Sequence, residues 1–163
     1  MNGQPQGIAP TMNGQPQGIA PTMNGQPQGI APTKTIELTE MMRLLAIAAG
    51  GAIGAVLRFW ISTSIYSLFG SEFPYGTLVV NVLGCLLMGF LYTFMLEHFS
   101  SVEWRAAILV GLLGAFTTFS TFSLETLNLL TAGEHTKALL NIFISVVVCL
   151  SATWLGMQLA RQL

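Results

Sequence analysis

Four apolar segments, each long enough to cross a lipid bilayer, constrain the fold of this chain more than any other feature. Their approximate bounds are residues 43–69, 77–96, 106–130 and 138–160. An α-helix rises about 1.5 Å per residue, so roughly twenty residues cross a hydrocarbon core about 30 Å thick. Only 8% of the residues are charged, against about 25% in soluble domains. The sequence therefore predicts an all-α membrane protein with four transmembrane helices.

Residues 1–33 repeat the unit MNGQPQGIAPT three times without a difference and contain no charge. A packed repeat array needs apolar residues to bury and distinct capping repeats at its ends, and this segment has neither. We interpret residues 1–33 as a disordered tag or linker. A natural disordered tail or a proline-containing binding arm is the alternative. A polar linker over 34–41 then precedes the membrane domain at 42–163.

The first apolar segment combines small residues with a charge well inside it, Arg58. Gly50 and Gly54 are four residues apart, the spacing that allows two helix backbones to approach closely in lipid. A charged guanidinium in such a segment costs about 2.5–3.5 kcal/mol unless it snorkels or finds a partner. For Arg58 both a structural pairing and a role at a pore vestibule are therefore open interpretations.

Asn81 is the strongly polar side chain of the second segment, about one turn from its start. An amide at this depth needs a partner on another helix or in an aqueous cavity. An interhelical hydrogen bond and a place along a pathway are both compatible with it. Cys85 and Cys149 lie in apolar segments without CxxC or Cys/His spacing, and we expect two reduced thiols that serve packing.

The third apolar segment is interrupted by hydroxyl and phenylalanine side chains within GLLGAFTTFSTFSLE (111–125). Inside a bilayer such a run must face protein, water or an ion. Two glycines, Gly111 and Gly114, precede the β-branched pair Thr117 and Thr118, and this pattern favours a broken helix. A continuous helix whose hydroxyls bond back to its own carbonyls is the alternative.

One face of this segment has the chemistry to bind a small anion. The residues that share the face at helical spacing are Thr118, Thr121, Phe122 and Glu125, with Phe119 and Ser123 alongside. Hydroxyl donors suit an anion, and phenylalanine rings present positive edges that replace part of its water. Helix packing is the alternative for the phenylalanines. If buried, Glu125 must be protonated, paired or hydrated, and an ion pair with Arg58 is one hypothesis.

The sequence contains no recognisable catalytic constellation. The chain contains no aspartate, and its two histidines lie in polar linkers. It has no nucleophile elbow, phosphate loop or cluster of metal ligands. Enzyme activity is therefore not expected.

Three segments together resemble the CrcB/Fluc family of fluoride channels. They are GGAIGAVLRF (50–59), GTLVVNVLGCLLMG (76–89) and GLLGAFTTFSTFSLE (111–125). The resemblance covers 42–163 in the expected order and spacing. Two alternatives come from other classes, namely a proton-coupled small multidrug-type transporter and a structural membrane subunit. The former needs a titratable carboxylate in its first helix, where this chain has Arg58.

The resemblance implies a passive fluoride-selective channel that exports fluoride and gives fluoride resistance. It implies an antiparallel, dual-topology homodimer in the inner membrane of a bacterium, and the weak Lys/Arg bias of the linkers is compatible with dual insertion. Asn81 would donate to fluoride, and two phenylalanines would form an aromatic wall. The residues that the resemblance assigns to the pathway are Asn81, Thr118, Phe119, Ser120, Thr121, Phe122 and Glu125.

The resemblance also implies a structural sodium ion at the dimer centre, held by the backbone carbonyls of Gly114 and Thr117. This chain departs from the family at Ala115, where members often have a second glycine, and in the repeat at 1–33. Neither departure falls on a residue proposed to donate to fluoride.

Overall fold

A computed structural model describes residues 33–98 and 101–163, with side chains described from residue 37 onwards. The chain divides into two units, 1–36 and 37–163, and the architecture below is that of the second unit. The tag-like segment predicted for 1–33 lies outside the described residues except for Thr33, where the first helix begins.

The described part of the chain consists of helices joined by short turns. In chain order these are α1 (Thr33–Phe69), α2 (Tyr75–His98), α3 (Val102–Arg105), a π-helical segment (Ala106–Leu113), α4 (Gly114–Phe116), α5 (Phe119–Thr131) and α6 (His135–Ala160).

Four helical stretches are long and apolar enough to cross a membrane: Glu37–Phe69, Tyr75–His98, Val102–Thr131 and His135–Ala160. The prediction of four spans is confirmed, and the protein is a multi-pass membrane protein. Helix α1 also continues through 34–41, which was assigned to a linker. Polar residues end an apolar span, but they do not interrupt the backbone hydrogen bonds of a helix.

Two glycines terminate helices at the hairpin turns. Gly70 has a φ of 79° and its N–H donates to the Tyr66 carbonyl at 2.9 Å, while Gly133 has a φ of 78° and its N–H donates to the Leu130 carbonyl at 3.1 Å. This left-handed conformation is costly for other residues, so glycine suits both positions. The two turns bring α1 beside α2 and α5 beside α6.

Glycines also set the distances between helices. A Cβ at Gly50 or Gly54 would collide with a carbonyl oxygen of the π-helical segment, that of Ala107 or Leu112. On the other side of the subunit, a Cβ at Gly89 of α2 would collide with the Thr153 carbonyl oxygen of α6. The close approach predicted from the glycines of the first span is confirmed, because these helices touch through backbone atoms.

The third span is broken, as predicted, and the continuous-helix alternative is wrong. Helix α4 ends at Phe116, Thr117 and Thr118 are extended (ψ of 154° and 115°), and α5 begins at Phe119. The π-helical form of Ala106–Leu113 was not predicted. A π-helix shifts the hydrogen bonds from i+4 to i+5, and a run that is apolar on every side carries no periodicity to reveal it.

Candidate functional site

The side chain of Asn81 bridges the break in the third span. Its Nδ2 donates to the Thr118 carbonyl at 3.1 Å, and its Oδ1 accepts from the Thr118 N–H at 2.8 Å. One carboxamide thus satisfies both backbone groups of an extended residue at membrane depth, where unpaired groups are costly. The interhelical hydrogen bond considered for Asn81 is therefore present. The carboxamide carries a second N–H, and Asn81 also lines a cavity.

Three hydroxyl groups cluster at the start of α5. The Thr118 Oγ1 accepts from the Thr121 N–H at 3.2 Å and lies 3.0 Å from the Thr121 Oγ1 and 3.2 Å from the Ser120 Oγ. Threonine at this position is a common helix cap, because its hydroxyl replaces a missing backbone acceptor. The cluster therefore stands at the helix end whose N–H groups and dipole favour negative charge.

The break also changes the environment of two backbone carbonyls. In a continuous helix the N–H of Thr118 would bond to the Gly114 carbonyl, and that of Thr121 to the Thr117 carbonyl. Here the first N–H donates to Asn81 and the second to the Thr118 hydroxyl. The two carbonyls that were predicted to bind sodium have thus lost their helical donors. Gly114 is also exposed on the surface of the subunit.

Phe119 and Phe122 line an open cavity of about 330 Å³ together with Asn81 and Thr118. Their ring centroids are 5.5 Å apart and the ring planes are tilted by 42°. Phe119 is 78% exposed in the subunit. We call this space the aromatic cavity. It combines two aromatic rings with an amide and a hydroxyl.

A second cavity of about 230 Å³ is lined by Arg58 and Thr118. Ser62, Thr77 and Thr121 also line it. We call it the basic cavity, since it combines a guanidinium side chain with hydroxyl residues. The vestibule interpretation of Arg58 fits this position. Thr118 lines both cavities, so the residue that Asn81 holds in place is common to the two.

Glu125 is held by hydroxyl groups from two other helices. Its Oε1 accepts from the Tyr66 hydroxyl at 2.6 Å and from the Thr77 Oγ1 at 2.9 Å. Within the described residues, its Oε2 is buried without a hydrogen-bond partner and no ion pair links Glu125 to Arg58. The hypothesis of that ion pair is therefore wrong.

Tyr66 and Thr77 were not predicted as partners of Glu125. A signal was available, because Tyr66 lies in the last turn of the first span, Thr77 lies in the first turn of the second, and the turn between the two helices is short. The two hydroxyls also approach each other at 3.3 Å. These hydroxyls contact Glu125 because α5 packs beside them. The position of α5 cannot be predicted from local sequence.

The structure divides the predicted polar and aromatic residues between two cavities. Thr121 lines the basic cavity, whereas Phe122 lines the aromatic cavity with Phe119. Consecutive residues of a helix point about 100° apart, so these neighbours can border different spaces. Ser120 is exposed and contacts Thr118. Ser123 donates back to the Phe119 carbonyl at 2.9 Å.

These features define a small multi-pass membrane protein whose polar centre is a broken helix flanked by two cavities. The model of the family described as CrcB-like protein, Camphor Resistance (CrcB) matches residues 45–157. The chain belongs to this family.

Several relatives carry the name fluoride-specific ion channel FluC. Those from Methylococcus capsulatus and Shewanella amazonensis are each 56% identical to this chain, over 123 and 119 residues, and that from Coxiella burnetii is 47% identical over 124 residues. The match with the Methylococcus protein covers 75% of this chain and 54% of that protein, so the chain spans about half its length. The match with the Shewanella protein covers 73% of this chain and 96% of that protein, and the match with the Coxiella protein covers 75% and 100%.

Proposed function

We propose that this chain forms a fluoride-selective channel that conducts fluoride passively across the inner membrane of a bacterium and gives fluoride resistance. The observation that carries the proposal is that Asn81 holds Thr118, which lines both a cavity with an arginine in its wall and a cavity walled by phenylalanines. The name of the relatives supports the choice of ion.

The proposed route leads from the basic cavity past Thr118 to the aromatic cavity. Arg58 attracts anions to the first cavity, since a positive charge in a confined space raises the local anion concentration. The hydroxyls of Thr118 and Thr121 and the second N–H of Asn81 are donors that replace water around fluoride. Fixed donors in a narrow path favour this small ion over chloride, provided that each site is weak enough to release it.

Reconstitution of the purified full chain into liposomes tests this function. We expect electrogenic fluoride efflux from the liposomes, with little chloride efflux under the same gradient. Comparable fluxes of the two ions would contradict a selective channel, and no ion flux would favour a structural subunit. A reversal potential at a set fluoride gradient separates passive conduction from coupled exchange.

Phe119→Ile tests the aromatic wall. The substitution keeps an apolar side chain but removes the positive ring edge, and contacts of this type contribute about 0.5–1.5 kcal/mol, a factor of up to about ten. We therefore expect fluoride flux to fall by up to about tenfold while the thermal unfolding temperature stays near that of the parent. The matched control is Phe143→Ile, since Phe143 is 67% exposed on α6 and lines none of the cavities described above. Equal loss in both variants would argue against the wall.

Tyr66→Phe tests the support of Glu125. It removes the hydroxyl that donates to the carboxylate at 2.6 Å and keeps the ring that packs against Gly76. A hydrogen bond to a charged group is worth about 1.5–3 kcal/mol, so we expect reduced fluoride flux and a lower unfolding temperature. The control is Tyr92→Phe, at an exposed tyrosine on α2. Flux equal to the parent would remove Tyr66 from the functional site.

We further propose an antiparallel homodimer with a sodium ion at its centre. Each subunit offers the carbonyls of Gly114 and Thr117, which have lost their helical donors, and two subunits together offer four oxygen atoms. Unwound backbone carbonyls at a helix break suit a sodium ion. When sodium is replaced by a large organic cation, we expect weaker dimerisation and lower fluoride flux. An unchanged dimer with unchanged flux would contradict the site.

A further inference from the structure

Two thiols from different helices meet in the wall of the aromatic cavity. Cys85 belongs to α2 and Cys149 to α6, and both are free and half-buried. Both line the cavity that also contains Asn81, Phe119 and Phe122. The two side chains therefore open onto one space, on helices that pack closely through Gly89 and Gly156. A packing role for each cysteine does not require two thiols in the wall of one cavity.

We propose that Cys85 and Cys149 form a two-thiolate binding site for a soft divalent cation, with the mercuric ion as its probe. Sulfur is a soft ligand and selects soft metals over calcium, magnesium or sodium. Zinc would need further ligands to complete a tetrahedron. Across 33–98 and 101–163, no group of three or more His, Cys, Asp or Glu side chains is placed to provide them. A soft cation that accepts two thiolates in a line needs no third ligand.

The charge balance of this reaction suits the depth of the site. Two S–H bonds break, two metal–sulfur bonds form, and both protons pass to water through the open cavity, because the thiolate is the form that binds metal. A dication with two thiolates is neutral, so no net charge is left among apolar side chains, where a charge is costly. A monovalent soft cation with two thiolates would leave one negative charge there.

The two helices that carry the thiols pack closely against each other. Gly89 of α2 and Gly156 of α6 allow these helices to pack through backbone atoms, the first against the Thr153 carbonyl and the second against the Leu86 carbonyl. Cys85 and Cys149 lie on the same two helices, within about one to two turns of these contacts. Ligands that are held in place before the metal arrives lose little conformational entropy when they bind it. The pair is therefore organised to chelate one ion.

Occupancy of this site should also close the proposed fluoride route. This second part rests on the proposed function, because the bound metal would share the cavity with Phe119 and Phe122. Metal binding itself does not depend on conduction. The two parts are measured separately, by bound metal and by flux.

The binding experiment uses the purified full chain, kept reduced with a phosphine that is removed before mercuric chloride is added. After a challenge with excess 2-mercaptoethanol and desalting, mercury per subunit is measured by elemental analysis. We expect the parent to retain about one ion per subunit, since two thiolates chelate it together. Cys85→Ser and Cys149→Ser should each retain at least about tenfold less, because a single thiolate exchanges with the competing thiol.

A transposed variant provides the matched control. Cys149→Ser combined with Ser151→Cys keeps two thiols in the subunit but moves one by two residues, to an exposed position facing roughly away from Cys85. It should lose retention as the single variants do. Retention equal to the parent in this variant or in a single variant would overturn the chelating pair, and so would two retained ions per parent subunit.

Flux is then compared with each protein's own metal-free value. Mercury should block fluoride in the parent at the concentration that fills the site, and should leave most of the flux in Cys85→Ser/Cys149→Ser. Retained metal with undiminished flux would overturn the blocking role and argue against conduction through the aromatic cavity. A parent without fluoride flux before mercury would instead contradict the proposed function, while the retention measurement would still test the metal site.

Discussion

Asn81→Ser is expected to lower fluoride flux by at least about tenfold, because serine is too short to reach both backbone groups of Thr118. In the parent, the carboxamide satisfies the Thr118 N–H at 2.8 Å and the Thr118 carbonyl at 3.1 Å. Each buried group left without a partner costs about 1–3 kcal/mol, and every 1.4 kcal/mol changes a population about tenfold. The extended backbone at Thr118 should therefore be replaced in part by other backbone conformations.

The measurement is fluoride flux per subunit in liposomes, with the thermal unfolding temperature recorded on the same preparation. Asn128→Ser is the matched control, because Asn128 is exposed near the end of α5 and lies outside the aromatic and basic cavities. Its flux and stability should equal those of the parent. If Asn81→Ser and Phe119→Ile both conduct like the parent, the proposed pathway is wrong even though the family assignment stands.

Gly54→Ala is expected to have the largest effect on stability. An added Cβ would collide with the Leu112 carbonyl oxygen, which belongs to backbone and cannot turn aside as a flexible side chain would. Overpacking of this kind costs about 1–3 kcal/mol or more, and here it would push α1 away from the π-helical segment. We expect a clearly lower unfolding temperature and a reduced yield of folded protein in detergent.

Gly51→Ala is the control for that substitution, on the same helix and with the same change in helix propensity. A Cβ at Gly51 would lie 3.8 Å from the Gly111 carbonyl oxygen, an ordinary contact distance. Its stability should stay near that of the parent or rise slightly, since alanine is the better helix former. Equal destabilisation by the two substitutions would show that α1 and the π-helical segment do not pack as described.

The pattern of local sequence was sufficient for the spans and for the break. Long apolar runs predict membrane helices because length and hydropathy are local properties. Gly114, Thr117 and Thr118 predicted the break because β-branched residues and glycine weaken a helix wherever it lies. The helix start at Thr33 was missed because a polar composition was taken as the end of regular structure.

The positions of the site residues could be predicted only in part. Thr118, Phe119 and Phe122 were correctly placed around one region, because they are neighbours in a single segment. The cavity that Thr121 lines could not be predicted, since helical spacing gives the angle between residues but not which neighbouring helix each one meets. Tyr66 was missed as the donor to Glu125 for the same reason.

By itself, the sequence determined that this chain is an all-α membrane protein of four spans with a polar interruption in the third. Hydropathy, length and residue type act within one segment, so they can be judged without knowing its neighbours. Only the tertiary structure decided that Asn81 bridges the break, that Glu125 binds Tyr66 and Thr77, and that Cys85 and Cys149 line one cavity. Each of these contacts joins different helices, and its geometry depends on how closely the glycines allow those helices to pack.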